Sequence, residues 1–241
     1  MNVARALLFD FDSTLLDNRG YGDVLWATCQ ELSESCPEVN PGALLTADTR
    51  IFRELFSQSQ DQWALGRVSG TDLARETWRR ALAEVGCSDN SVLELLISIH
   101  KRRSESFCKL FDDVRPFVET FHRHGIPLAL ITNSASDVQR PKIDTLNIGG
   151  WFKSIVISGE IGKVKPDPEV FEIALRELEI DRTGVWHIGD NLETDVAGAN
   201  AAGIGSVWLN RFGQVREPAS PVPGIEVESL TELASVLGPS R

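Results

Sequence analysis

Two aspartates separated by one residue follow an apolar run near the start of the chain. The run occupies residues 7–9, Asp10 and Asp12 come directly after it, and Thr14 follows two residues later. Runs that are apolar throughout are typical of strands buried on both faces of a parallel sheet. Open α/β sheets bind ligands at the carboxyl ends of such strands, where two carboxylates repel each other unless a cation or a shared proton intervenes. The pair therefore predicts metal-assisted nucleophilic chemistry.

Asp10 is the candidate nucleophile, because a carboxylate can attack phosphorus and form an acyl-phosphate. Asp12 is the candidate general acid and then base, which would protonate the leaving oxygen and later deprotonate water. Further polar motifs follow later apolar segments, each where a strand is predicted to end: Thr132-Asn133-Ser134, Lys165-Pro166, Gly189-Asp190 and Asp195. Because such positions converge on one crevice of a doubly wound sheet, we expect these motifs to meet.

The later motifs supply a metal site and a phosphate site in this interpretation. Asp190 and Asp195, together with Asp10, form an oxygen-rich set suited to Mg²⁺, which favours a few carboxylates, water and substrate phosphate. Hydroxyl, amide and ammonium groups would bind the phosphoryl oxygens. These groups belong to Thr132, Asn133 and Lys165.

Each motif alone also has a structural explanation. An Asp-x-Asp pair occurs in turns, and Thr132-Asn133-Ser134 suits a helix cap. Lys165 could be a solvated lysine at a helix start, and Asp190 or Asp195 could cap the following helix. All the motifs occurring in order, each at a strand end, favour the functional interpretation.

The elements that must position these residues are predicted from periodicity. Residues 4–11 predict the first strand. From residue 113 the chain alternates between helices and strands, with strands at 128–131, 154–157, 184–188, 206–209 and 225–227, and with a helix over 194–202. Such alternation predicts a parallel sheet with right-handed crossovers. Residues 21–108 instead show helical periodicity, with Ser69 or Thr71 and Asp89 or Asn90 as candidate helix caps. The prediction is an α/β fold, with a Rossmann-like doubly wound parallel sheet interrupted by a helical insertion.

Composition limits the partners. The chain has 241 residues and a net charge of -11, which argues against nonspecific nucleic-acid binding. No apolar stretch approaches the ~20 residues of a membrane span, and no signal-like segment precedes the first strand. We expect a cytoplasmic protein, a monomer or homodimer, with no membrane or nucleic-acid partner.

The ordered motifs resemble the haloacid dehalogenase-like hydrolase superfamily, whose members carry DxDxT, a later Thr or Ser before Asn or Gly, a Lys before Pro, and GDxxxxD. Residues 198–203 are also similar to that family's GAxxAG helix. The resemblance implies the roles given above, and it adds the backbone carbonyl of Asp12 as a metal ligand. It also implies a catalytic core of residues 1–16 and 111–241, with residues 17–110 as a cap domain that closes over the site. Ser13 departs from the glycine that is most common at its position.

The resulting prediction is a magnesium-dependent phosphatase that hydrolyses a small phosphorylated metabolite through an aspartyl-phosphate. A 2-haloacid dehalogenase of the same fold is an alternative, although a halide leaving group does not need the proton that Asp12 would supply. A phosphomutase and a non-catalytic binding or regulatory protein that keeps the site are two more. The sequence does not name the substrate.

Overall fold

A six-stranded parallel sheet forms the centre of the molecule, which is a computed structural model describing residues 4–238. Its spatial order is β3-β2-β1-β4-β5-β6. The chain therefore builds outward from β1 on one side and returns to build outward from β4 on the other, which is the doubly wound arrangement. The strands are β1 (Ala6–Phe9), β2 (Leu128–Thr132), β3 (Ser154–Ile157), β4 (Val185–Gly189), β5 (Gly205–Leu209) and β6 (Ile225–Val227).

Helices connect the strands and fill the long segment between β1 and β2. That segment holds α1 (Tyr21–Ser35), α2 (Pro41–Ala64), α3 (Gly70–Glu84), α4 (Asn90–Phe107) and α5 (Val114–Arg123). The later helices are α6 (Ser136–Thr145), α7 (Ser158–Ile161), α8 (Pro168–Leu178), α9 (Ala197–Ala201) and α10 (Leu230–Leu237). The predicted fold class, an α/β sheet with an inserted helical region, is confirmed.

Both faces of the sheet are buried, as the apolar run of β1 predicts. Leu7 and Phe9 pack into one hydrophobic cluster with α5 and α10, whereas Ala6 and Leu8 pack into another with α8 and α9. This alternation follows from the two-residue period of a strand. The sheet is therefore a rigid platform whose carboxyl edge presents the residues that follow each strand.

The helical insertion, α1 to α4, has a hydrophobic cluster of its own. Its members all lie between residues 29 and 99 and include Leu32, Leu44, Trp78 and Leu96. Ser69 caps α3 by accepting a hydrogen bond from Asp72 N (3.0 Å), and Asp89 caps α4. These are two of the four candidate caps in the sequence.

One core carboxylate fastens the insertion to the core. Asp137, on α6, accepts hydrogen bonds from Ser69 Oγ (2.7 Å), Gly70 N (3.2 Å) and Thr71 N (2.8 Å) at the start of α3. The Ser158 hydroxyl donates to the Ala64 carbonyl (2.5 Å) close by. The insertion therefore contacts the same core helix that approaches the crevice.

Three local predictions differ from the structure. The first strand, predicted over residues 4–11, spans Ala6–Phe9, because residues 11–16 form a compact turn. The helix predicted from Thr194 begins instead at Ala197, because residues Leu192–Val196 form a π-helical turn. The short helix α7 has no counterpart in the prediction. Within residues 4–238 no helix combines the length and apolar character needed to cross a membrane.

Candidate active site

Lys165 lies at the centre of the crevice with its side chain almost fully buried. Its ammonium donates to Asp10 Oδ1 (2.6 Å), Asp195 Oδ1 (2.6 Å) and the Ile131 carbonyl (3.0 Å), which uses all three of its donors. Burial alone would lower the pKa of Lys165, but the charges of Asp10 and Asp195 raise it well above its usual value. Lys165 is therefore a fixed positive charge that joins the ends of β1 and β4.

The Asn133 side chain sets the position of Lys165. Its Oδ1 accepts from the Lys165 backbone N–H (2.8 Å), and its Nδ2 donates to the Lys165 carbonyl (2.9 Å). Asn133 follows β2 directly, so this pair of hydrogen bonds ties the loop before α8 to the sheet. Direct contact of Asn133 or Lys165 with a phosphate stays a prediction, since the structure places their side chains in these internal bonds.

Three carboxylates converge beside Lys165. Ligand oxygens of Asp10, Asp190 and Asp195 lie within 4.8 Å of one another. Burial raises the pKa of Asp10 above its usual value, and the neighbouring Asp195 and Asp190 carboxylates add to this against the opposing effect of Lys165. Burial and Asp195 likewise raise the pKa of Asp190 to about 6. A divalent cation would relieve this repulsion, so the oxygen set fits a metal site.

Asp195 is the most constrained of the three carboxylates. Its Oδ1 accepts from Lys165 and from His187 Nε2 (2.9 Å), and its Oδ2 accepts from Asn191 N (3.1 Å). Burial alone would raise the pKa of Asp195, but Lys165 and His187 hold it well below the usual range. A Cβ on Gly189 would lie 2.2 Å from Asp195 Cγ, so only glycine fits under this side chain.

Asp12 stands at the partly exposed mouth of the site, where three side chains donate to it. Gln139 Nε2 reaches Oδ2 (2.5 Å), while Lys142 Nζ (2.9 Å) and Asn18 Nδ2 (3.1 Å) reach Oδ1. Burial alone would raise the pKa of Asp12, but Lys142 and the other donors lower it below its usual value. Gln139 Nε2 also donates to Thr132 Oγ1 (2.8 Å).

Ser13 occupies a left-handed backbone conformation, with φ at 61°. L-residues other than glycine rarely adopt this region, because Cβ crowds the backbone. The conformation closes the turn after Asp12, in which Ser13 N donates to the Leu16 carbonyl (3.0 Å). The sequence difference at Ser13 therefore falls where glycine has a conformational advantage.

Four site residues were not singled out as functional in the sequence: Asn18, Gln139, Lys142 and His187. Gln139 and Lys142 are three residues apart on the helix after Thr132, a spacing that places two side chains on one helix face. His187 precedes Gly189 by two residues, so both belong to the same face of β4. These spacings could have indicated that the side chains share a face with site residues, but neither spacing identifies the group that the side chains contact.

Comparison with known proteins gives one family match and several full-length relatives. A family model described as haloacid dehalogenase-like hydrolase matches residues 4–203. Human N-acylneuraminate-9-phosphatase is 29% identical over 243 residues, covering 98% of this chain and 95% of the human protein. Phosphoserine phosphatase from Thermus thermophilus is 33% identical over 156 residues, covering 65% of this chain and 61% of that protein.

Solved structures show the same fold. A HAD-hydrolase from Bacillus subtilis, solved with bound magnesium, aligns with a TM-score of 0.68 at 23% identity and covers 98% of this chain and 100% of its own. A 2-haloacid dehalogenase from Pseudomonas syringae aligns with a TM-score of 0.70 at 25% identity and covers 98% of both chains.

Proposed function

The chain belongs to the haloacid dehalogenase-like hydrolases and is a phosphatase of that family, and from this premise we propose that it hydrolyses a small phosphomonoester with magnesium through an aspartyl-phosphate. The observation that carries the proposal is the convergence of Asp10, Asp190 and Asp195 within 4.8 Å. Two of these carboxyls have raised pKa values, so the group is unstable as a set of free anions. A divalent cation makes the cluster favourable, and phosphoryl transfer is a reaction that uses one.

Magnesium would be held by Asp10, Asp190 and the Asp12 carbonyl, with Asp195 acting through water. When bound, it would supply positive charge that offsets the nucleophile and the phosphate. Asp195 is assigned the indirect position because three protein donors already occupy its two oxygens.

Asp10 would attack the phosphorus atom and form the phosphorus–oxygen bond while the ester oxygen leaves. Lys165 holds the Asp10 carboxylate in place through its 2.6 Å bond and balances part of its charge. Asp12 would take up a proton from solvent at the mouth of the site when the phosphate dianion enters, give that proton to the leaving oxygen, and then take one from the water that hydrolyses the aspartyl-phosphate. The Thr132 hydroxyl would orient a phosphoryl oxygen.

The helical insertion would serve as a cap that excludes water and selects the alcohol part of the substrate. Its hydrogen bonds to Asp137, on the same helix as the Gln139 and Lys142 side chains that contact Asp12, support this role. Relatives named for N-acylneuraminate and serine phosphates suggest a phosphorylated sugar acid or amino acid as the substrate class.

The test is a screen of phosphorylated metabolites, with p-nitrophenyl phosphate as a general ester, measuring phosphate release with magnesium or with EDTA. We expect magnesium-dependent release by the wild-type protein and none by Asp10→Asn. The Asp10→Asn variant should keep its melting temperature or gain stability, because it removes one charge from a crowded acidic group.

The rival reactions give different results in the same samples. Halide release from 2-chloropropionate without magnesium would support a dehalogenase, and transfer of phosphate to a second sugar would support a phosphomutase. No turnover of any ester with magnesium would contradict the proposal and favour a binding protein.

A further inference from the structure

Helix α6 presents two polar side chains to Asp12 from one face. Gln139 is completely buried, and its Nε2 donates to both Asp12 Oδ2 and Thr132 Oγ1. Lys142 lies three residues further along the helix, is partly exposed, and donates to Asp12 Oδ1. The carboxylate is therefore held at both oxygens, which prevents it from turning about its side-chain bonds.

The contacts of Gln139 are unfavourable for a purely structural residue. Its amide nitrogen serves two acceptors, but its Oε1 is buried without a hydrogen-bond partner among residues 4–238. A buried acceptor without a partner destabilises the folded protein. The opposite amide orientation would point Oε1 at the Asp12 carboxylate, and two acceptors repel each other. Nε2 therefore faces Asp12. The side chain thus keeps one atom unsatisfied while bridging Asp12 to Thr132.

We propose that Gln139 and Lys142 are positioning residues for catalysis, which fix the Asp12 carboxyl relative to Thr132 and to the leaving oxygen of the substrate. The inference rests on the proposed function of the site. Thr132 would orient the phosphoryl group, and Asp12 would face the ester oxygen attached to it. Gln139 joins these two side chains through one nitrogen atom, so it sets the geometry in which the proton is transferred.

The dependence of the rate on the leaving group distinguishes positioning from structural support. A poor alkoxide leaving group needs the proton from Asp12, whereas p-nitrophenolate leaves with little help. Misplacing Asp12 should therefore slow an alkyl phosphate much more than p-nitrophenyl phosphate. General damage to the fold or to phosphate binding would slow both esters by the same factor.

The experiment measures kcat and KM on p-nitrophenyl phosphate and on the alkyl phosphate of the screen that wild type hydrolyses fastest. Lys142→Met should lower kcat on the alkyl ester by ~10-fold or more, with a much smaller loss on the aryl ester and little change in KM. Lys142→Arg should recover part of the loss. Gln139→Met should lower the alkyl-to-aryl ratio and also raise KM, because it frees Thr132.

Lys153→Met is the matched control, since Lys153 is a surface lysine bonded to Glu179 and the Leu178 carbonyl, away from the site. It should leave the ratio and both rates unchanged. Melting curves check that every variant is folded, and Lys142→Met keeps the test decisive if the buried Gln139→Met variant does not fold.

A double-mutant comparison identifies the group through which Lys142 acts. In an Asp12→Asn background, Lys142→Met should change the rate on the alkyl ester less than ~2-fold, against ~10-fold in the wild-type background, because no carboxylate remains to be positioned. An unchanged alkyl-to-aryl ratio in Lys142→Met, or losses that multiply with Asp12→Asn, would overturn the inference. A wild-type protein that hydrolyses neither ester with magnesium would instead overturn the proposed function.

Discussion

Replacing Asp48 by asparagine should raise the free energy of unfolding relative to wild type, and this gain should be markedly larger at alkaline pH than at acidic pH. Asp48 lies on α2 inside the helical insertion and is only 4% exposed. Burial raises its pKa from 3.8 to about 7, with no compensating charge or hydrogen bond contributing within the described residues. Its charge also acts on Tyr21 and Cys29 of α1, whose pKa values are raised mainly by their own burial.

The sign and size follow from proton linkage. Between pH 3.8 and about 7 the unfolded chain has released the Asp48 proton while the folded protein still holds it, so stability falls as pH rises through this window. The full shift corresponds to about 4 kcal/mol, and the part between pH 5 and pH 8 to about 2–3 kcal/mol. The amide introduced by Asp48→Asn does not ionise, so this substitution removes the pH-dependent loss.

Urea unfolding at pH 5 and pH 8 measures the effect, with tryptophan fluorescence and far-UV circular dichroism recorded together. At each pH, the free energy of unfolding of wild type is subtracted from that of the variant. The difference at pH 5 is then subtracted from the difference at pH 8. Packing changes caused by the amide cancel in this subtraction. Asp61→Asn, at an exposed position of the same helix, is the matched control. A value for Asp48→Asn below ~0.5 kcal/mol would refute the assignment of a neutral buried acid.

The remaining predictions concern the metal group, the turn after Asp12 and the contact with the insertion. Asp190→Ala should weaken magnesium binding in a titration more than Asp195→Ala does. Asp195→Ala should lower the melting temperature more, because it leaves Lys165 without one of its partners. The reverse order of magnesium affinities would exchange the roles of the two aspartates. Ser13→Gly should stabilise the protein by about 1 kcal/mol in urea by relieving the left-handed backbone, and a destabilisation would mean that the serine hydroxyl outweighs the strain. Asp137→Ala should cost about 1 kcal/mol by removing its hydrogen bonds to the first residues of α3, and an unchanged midpoint would show that water replaces them.

The sequence predicted where the site would form better than how its members would be held. Asp10, Asp190 and Lys165 could be placed together because residues after parallel strands meet at one sheet edge, whatever the details of packing. The three are indeed adjacent in the structure. From the sequence alone, Lys165 was predicted to bind phosphate. Its hydrogen bonds to Asp10, Asp195 and the Ile131 carbonyl could not be predicted, because they depend on the path of its loop beneath β1.

The contacts of α6 could not be predicted in the same way. Gln139 and Lys142 meet Asp12 across 127 and 130 residues of sequence. Which face of α6 points at the crevice depends on the rotation of the helix against the sheet and on the bond from Asp137 to α3. Local periodicity sets neither of these, and α6 has polar side chains on several faces. Tertiary packing therefore decided which of its residues entered the site.

The charge balance of the crevice argues that the cation precedes the substrate. Asp10, Asp12, Asp190 and Asp195 face only two nearby ammonium groups within the described residues, those of Lys165 and Lys142. With all four carboxyls ionised, the site has a surplus of two negative charges, and a phosphomonoester adds about 1.5 to 2 more at neutral pH. Burial, to which the neighbouring carboxylates add, already raises the pKa values of Asp10 and Asp190 before any substrate arrives. A divalent cation would cancel the surplus, so the phosphate would enter a neutral crevice and Asp10 would stay ionised for its proposed attack.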